Sequence, residues 1–175
     1  LPVGLEGRWR ATEDSELGYR VDEVLFGVVT QGVGRTNQIT GELVIRETAI
    51  TTASFEVEVA SIRSDDSRRD GQLRGRIMNT AEFPTARFEL TAPIELGSLP
   101  TAGEQITATA VGELTLRGET RPVTFEVTAQ HSDTRIGVLG EISILFADYL
   151  IANPSISGIS VEDEGLLEFV LVFAR

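Results

Sequence analysis

Along most of the chain, apolar and polar side chains alternate with period two, the pattern of strands with one buried face. Phe55, Val57 and Val59 alternate with Glu56 and Glu58, and Ala86, Phe88 and Leu90 alternate with Arg87 and Glu89. Val123, Phe125 and Val127 are interleaved with Thr124, Glu126 and Thr128. Ile136, Val138, Gly140, Ile142, Ile144 and Phe146 form one longer face, and Leu167, Phe169, Leu171 and Phe173 close the chain. Leu17–Thr30 and Gln38–Arg46 are strand-like as well. The glycine- and proline-bearing stretch Gly97–Gly103 and the short link Arg117-Gly118-Glu119-Thr120 supply turns. About eight strands with short links predict an all-β antiparallel barrel or sandwich, and the length of the strands favours an eight-stranded barrel.

Two segments depart from simple alternation. In Gln105–Leu116 one face carries Ile106, Ala108, Ala110, Gly112, Leu114 and Leu116, with small residues in its middle. Such a face either leaves space inside the barrel or receives a large side chain from elsewhere, and both readings stay open. Between Asp66 and Met78 the Leu73–Ile77 spacing, with Arg69 one turn before, predicts one short helix. Asp66 or Asp70 can cap its start, while Gly71 and Gly75 make its turns irregular.

Composition narrows the chemistry. The 175 residues suit one domain, with residues 1–7 as an N-terminal linker or arm and 8–175 as the folded unit. There is no cysteine, and all 15 basic residues are arginine, so thiolate chemistry, cysteine-bound metals and Schiff-base lysines are excluded. One histidine cannot build a multi-histidine metal site, and no metal or cofactor is expected. A net charge of -12 argues against nucleic acid as a partner. It also argues against electrostatic docking on anionic membranes. The chain opens at Leu1 and its sole methionine is Met78. A processed form or a piece cut from a longer chain is therefore expected, with any signal peptide or membrane anchor lying upstream.

Local motifs give no catalytic constellation. His131-Ser132-Asp133 are consecutive and read as a polar turn, because a triad needs a relay across space. Asp66–Gly71 faintly resembles a calcium loop, but Arg68 and Ile77 stand where oxygen ligands belong. Gly27, Gly32 and Gly34 do not fit a dinucleotide fingerprint. Five arginines between Arg63 and Arg76 face Asp65, Asp66 and Asp70. They form either a polar gate for a ligand head or a set of local ion pairs.

Several runs, in order, resemble the YceI-like, lipocalin-like polyisoprenoid-binding proteins. They are Ala60-Ser61-Ile62-Arg63-Ser64, Arg69-Asp70-Gly71-Gln72-Leu73, Phe83-Pro84-Thr85-Ala86-Arg87-Phe88 and Gly112–Val123. Gly7-Arg8-Trp9, Tyr19-Arg20-Val21, Ile39–Leu43 and Phe146–Ile151 fit the same family's other strands. The resemblance implies an eight-stranded lipocalin-like barrel with a helix near one end, exported from the cytoplasm, holding an isoprenoid chain inside. Two departures stand out: Asp14-Ser15 where the family often has His-Ser, and Gln72 where it often has histidine.

On this reading the protein is a non-catalytic carrier, store or shield for a long isoprenoid lipid, either a polyprenyl phosphate or an isoprenoid quinone. It would act in the periplasm, as a secreted protein, or anchored outside the cytoplasm through an upstream segment. The expected apolar lining is Tyr19, Val21, Phe55, Val57, Val59, Phe88, Leu114, Phe125, Ile144 and Phe146, with Leu73, Ile77 and Phe83 covering one end. Arg69 and Gln72 are the expected head-group or gate residues. Two alternatives stand beside it. One is a cell-surface structural or interaction domain with a filled core, for which outward Leu166, Val170 and Val172 leave a homodimer open. The other is an enzyme on an apolar substrate using Asp148 or Tyr149.

Overall fold

The computed structural model describes residues 4–155 and 159–175; the first three residues of the expected arm, with 156–158, lie outside the described residues. The alternating segments form strands β1 (Gly7–Ala11), β2 (Glu16–Leu25), β3 (Val28–Thr36), β4 (Ile39–Arg46), β5 (Ala49–Glu58) and β6 (Thr85–Leu90). They continue as β7 (Ile94–Glu95), β8 (Ile106–Leu116), β9 (Glu119–His131), β10 (Ile136–Leu145), β11 (Ile159–Val161) and β12 (Glu164–Ala174). One short helix, α1 (Ser67–Gln72), lies between β5 and β6.

Hydrogen bonding runs in the order β1-β4-β5-β6-β8-β9-β10-β12, and β12 returns to β1 through Phe173 and Ala174. This closes an antiparallel barrel of eight staves. Two staves are each made of two strands in series. β12 pairs with β1 at one end and with β2 at the other, from Leu166↔Arg20 to Val170↔Glu16. β3 pairs with β2 as β4 pairs with β1. Ser15 bridges the interruption in the first stave. Its hydroxyl accepts from Val172 N–H at 2.9 Å, supplying the partner that the interrupted backbone cannot. The departure at Asp14-Ser15 thus has a structural half: Ser15 is buried and holds β12, while Asp14 is exposed.

The sequence expectation needs three local corrections. Leu17–Thr30 is not one strand: Phe26 and Gly27, with φ of 48° and 85°, form a two-residue hairpin turn between β2 and β3. β5 ends at Glu58 and Val59 begins a helical turn; likewise β10 ends at Leu145 and Phe146 starts another. The last two changes take Val59 and Phe146 off their staves and into helical turns.

One end of the barrel is open. β4 and β5 pair from Arg46↔Ala49 to Ile39↔Val57, whereas β3, paired with β2 on one edge, makes on its other edge a single bridge between Arg35 and Arg63, with both N–H···O distances 2.9 Å. Residues 59–84 cross the gap. Asp66 caps α1 by accepting from Arg68 N–H at 2.9 Å. Asp70 is buried and accepts from Ser64 N–H and Oγ at 2.9 and 2.7 Å, folding the preceding loop against the helix. After α1 the chain widens into a π-type turn over Leu73–Ile77, where Met78 N–H donates to Leu73 O at 2.9 Å.

Candidate functional site

The barrel interior divides into two unequal parts. Toward the α1 end lies a cavity of ≈590 Å³ whose wall is mostly aliphatic. Leu17, Tyr19 and Val21 line it from β2, Val57 and Val59 from β5 and its exit, Ala86 from β6 and Leu116 from β8. Ile144, Phe146, Ile151 and Leu167 complete the far wall. Leu73, Ile77 and Met78 descend from the helical segment as its cover. This volume lies in the range of pockets that enclose a small organic ligand. A depression of ≈920 Å³ on the outer face of β9, β10 and β12 is larger, but it is bordered by outward side chains such as Glu126, Glu141 and Glu168 and is not an interior space.

Beyond the cavity the barrel is filled. Phe55, Phe88, Phe125 and Phe169 form a closed ring, with neighbouring centroids 5.5, 5.2, 5.9 and 5.3 Å apart. Below the ring only ≈70 Å³ remains, lined by Ala108, Ala110, Val127, Leu171 and others. The small-residue face of β8 is therefore used mainly to receive side chains: an ideal Cβ at Gly112 would lie 2.5 Å from the Phe88 ring. Ala108 and Ala110 leave the small void.

The expected lining residues are thus distributed. Tyr19, Val21, Val57, Val59, Leu73, Ile77, Ile144 and Phe146 border the main cavity. Phe55, Phe88 and Phe125 belong to the ring and the void beneath it, and Leu114 is buried in the wall and borders neither space. Phe83 lies outside the cavity. It covers the β8–β9 turn, 2.7 Å from where a Gly118 side chain would begin, with the Arg117 guanidinium 5.6 Å from its ring centre. Its position just before Pro84 and β6 carries it past the cover to the barrel's rim.

Polar groups gather at the mouth. Arg69, on α1, reaches across to Glu23 on β2 at 2.7 Å, and its other terminal nitrogen donates to Asp65 at 2.9 Å. The Glu23 side chain is only 7% exposed. Burial opposes the Arg69 charge, but the two carboxylates outweigh it and hold its pKa above the ordinary value. Among the described residues the buried Tyr19 hydroxyl makes no well-formed hydrogen bond, and burial, opposed by the Arg69 charge and by the nearby Ser64 side chain, raises its pKa. Gln72 lines the cavity, and its side-chain Oε1 accepts from Arg76 Nε at 2.9 Å. Arg76 also donates to Asn153 O and Pro154 O at 3.3 and 3.0 Å, tying the helix to the loop after β10. Of the five clustered arginines, Arg68 and Arg69 pair locally with Asp66 and Asp65, Arg69 also reaches Glu23, Arg76 binds neutral oxygens, and Arg74 Nη1 is buried with no partner among the described residues. Sequence reasoning missed Glu23, whose inward position follows the alternation Leu17, Tyr19, Val21, Glu23 along β2.

The residues of the enzymatic alternative do not meet the cavity. Tyr149 is buried outside it, and Asp148 is exposed, with its carbonyl accepting from Arg121 at 3.0 Å. His131 binds Pro100 O at 2.8 Å and Ser132 O at 3.0 Å, as befits a turn. No helix among the described residues is long and apolar enough to cross a membrane.

Comparison with known proteins places this geometry in context. The family model described as a YceI-like domain matches residues 10–173. A UPF0312 protein of Pseudomonas fluorescens is 30% identical over 124 residues, covering 67% of this chain and 61% of that protein. A UPF0312 protein of Shewanella denitrificans is 32% identical over 97 residues, 54% of this chain and 47% of its own length. The chain thus spans about half the length of the curated relatives it matches. Among solved structures, a polyisoprenoid-binding domain from Saccharophagus degradans implicated in plant cell wall breakdown superposes with a TM-score of 0.78 at 17% identity. That match covers 96% of this chain and 98% of the other. Burkholderia cenocepacia BcnA matches with a TM-score of 0.72 at 20% identity, over 93% and 98% of the two chains. Both likenesses are of fold.

Proposed function

The chain belongs to the YceI-like domain family, and from that premise we propose that it holds an isoprenoid lipid with an uncharged head in the cavity beneath α1, without transforming it. The observation that carries the reading is the ≈590 Å³ space itself, walled by aliphatic side chains and opening at a mouth where the polar groups are confined to one rim. Such a space favours an apolar chain, because each methylene taken from water contributes about 0.8 kcal/mol with no need for a salt bridge. The fold shared with a polyisoprenoid-binding domain supports the ligand class.

The rim favours an alcohol or a quinone-like carbonyl over a phosphate. Arg69 is the inward anion receptor, yet it is already neutralised by Glu23 and Asp65, while Arg68, which also borders the space, is turned to solvent beside Asp66 at 3.6 Å. A phosphate placed there would face the buried Glu23 carboxylate, and like charges at close range disfavour one another. An uncharged head can instead meet the buried Tyr19 hydroxyl, which has no well-formed partner among the described residues. Storage, shielding or transfer of such a lipid outside the cytoplasm is the role this arrangement serves. A filled-core interaction domain fits the ring-packed half of the barrel but leaves the main cavity without purpose.

The test is to purify the chain under native conditions, extract it with organic solvent and analyse the extract by mass spectrometry, then titrate the emptied protein with farnesol. A stoichiometric isoprenoid in the extract, or saturable farnesol binding, is expected. Protein that carries no lipid and takes up no prenol overturns the reading.

A further inference from the structure

We infer that the ring of Phe55, Phe88, Phe125 and Phe169 is the floor of the ligand site and sets the length of tail the barrel accepts. The inference rests on the lipid-binding reading above and adds to it a limit on chain length.

The ring occupies one layer of the barrel. On β5, the inward residue on the mouth side of Phe55 is Val57, which lines the main cavity. On β6, Ala86 stands in the same relation to Phe88, and on β12 Leu167 does so to Phe169. The next inward residues on the other side, Leu90, Val127 and Leu171, border the small void instead. Neighbouring centroids are no more than 5.9 Å apart, the spacing of aromatic pairs in contact, and the spaces on the two sides of the ring share no lining residue, so the ring separates them. The backbone is adapted to hold them. Gly140 sits opposite Phe169 in the β10–β12 pairing, and an ideal Cβ there would be 2.6 Å from that ring.

The capacity above the floor follows from its volume. At about 30 Å³ per water-sized group, ≈590 Å³ houses roughly 20 non-hydrogen atoms, or about four isoprene units. A tail longer than that has to leave its excess at the mouth, where further length adds no buried surface.

The experiment measures the affinity of the intact chain for an uncharged prenol series: geraniol, farnesol, geranylgeraniol and the nine-unit prenol. Affinity is expected to rise at least tenfold from the two-unit to the four-unit alcohol and then to change by less than about threefold. Phe88→Ala joins the cavity to the void below, so its plateau is expected one or two units later; Phe88→Leu serves where the alanine variant does not fold. A wild-type affinity that climbs another tenfold between four and nine units overturns the floor while leaving lipid binding intact. Absence of binding to every prenol overturns the lipid reading itself.

Discussion

Gly140 and Phe169 stand opposite one another across the β10–β12 pairing, with the Phe169 ring filling the space a side chain at 140 would need. Gly140→Ala gains some stability by restricting the unfolded chain, about 0.4–1 kcal/mol. The methyl, placed 2.6 Å from a ring packed on two others, costs more. The net expectation is a loss of about 1–3 kcal/mol in chemical denaturation. In the double variant with Phe169→Leu the combined loss should fall short of the sum of the two single losses by about 1 kcal/mol. Strict additivity would show that the ring does not lean on Gly140.

That pair illustrates what was legible in the sequence. The inward face of β10 follows from alternation alone, because a half-buried strand must repeat every second residue. The helix start was legible to within one turn, with Asp66 and Asp70 both candidates; Asp66 is the cap and Asp70 lies within the helix. Whether Ala108, Ala110 and Gly112 leave a space or receive a ring was not legible. The answer depends on strand register, which brings Phe88 opposite Leu114 and beside Gly112 and is fixed only by the closed barrel. The turn at Phe26-Gly27 was hidden for a different reason. A phenylalanine in an apolar run reads as strand, and only the positive φ of both residues reveals the hairpin. Glu23 was equally hidden, because its partner Arg69 lies 46 residues away.

Phe26 is a strained choice for its position. Its φ of 48° falls in the left-handed region, and the residue is 80% exposed. That backbone costs an ordinary L-residue about 1–2 kcal/mol, and Asn-Gly is the favoured pair in such a two-residue turn. Phe26→Asn should therefore raise stability by about 1 kcal/mol, read as a higher denaturant midpoint at unchanged slope. A lower midpoint would mean that the exposed ring contributes packing that outweighs the strain.

The Glu23–Arg69 pair should govern the choice of head group. Glu23→Gln keeps a hydrogen-bond acceptor beside Arg69 while removing the charge that repels an anion. We expect farnesyl phosphate to bind about tenfold more tightly than it does to the wild type, a gain of about 1.4 kcal/mol, with farnesol affinity unchanged within about threefold. Isothermal titration with both ligands decides the matter. Equal weakening of the two would assign the pair to holding α1 against β2, with no part in discrimination.

The chain has two tyrosines, and both are shifted in the same direction. Burial raises the pKa of Tyr19 against the opposing charge of Arg69, and burial, then the Asp148 charge, raises that of Tyr149. An unfolded chain releases phenol protons near pH 10. The folded chain retains them, so it binds more protons than the unfolded chain in the interval between the two pKa values. Stability is therefore complete below about pH 10 and falls as pH rises through the folded values. Alkaline titration of the phenolate absorbance should show neither tyrosine with a midpoint at the ordinary value before unfolding. Tyr149→Phe should remove one of the two late steps and lessen the alkaline loss of stability. A tyrosine that titrates at about pH 10 in the folded wild type would contradict the burial of that hydroxyl.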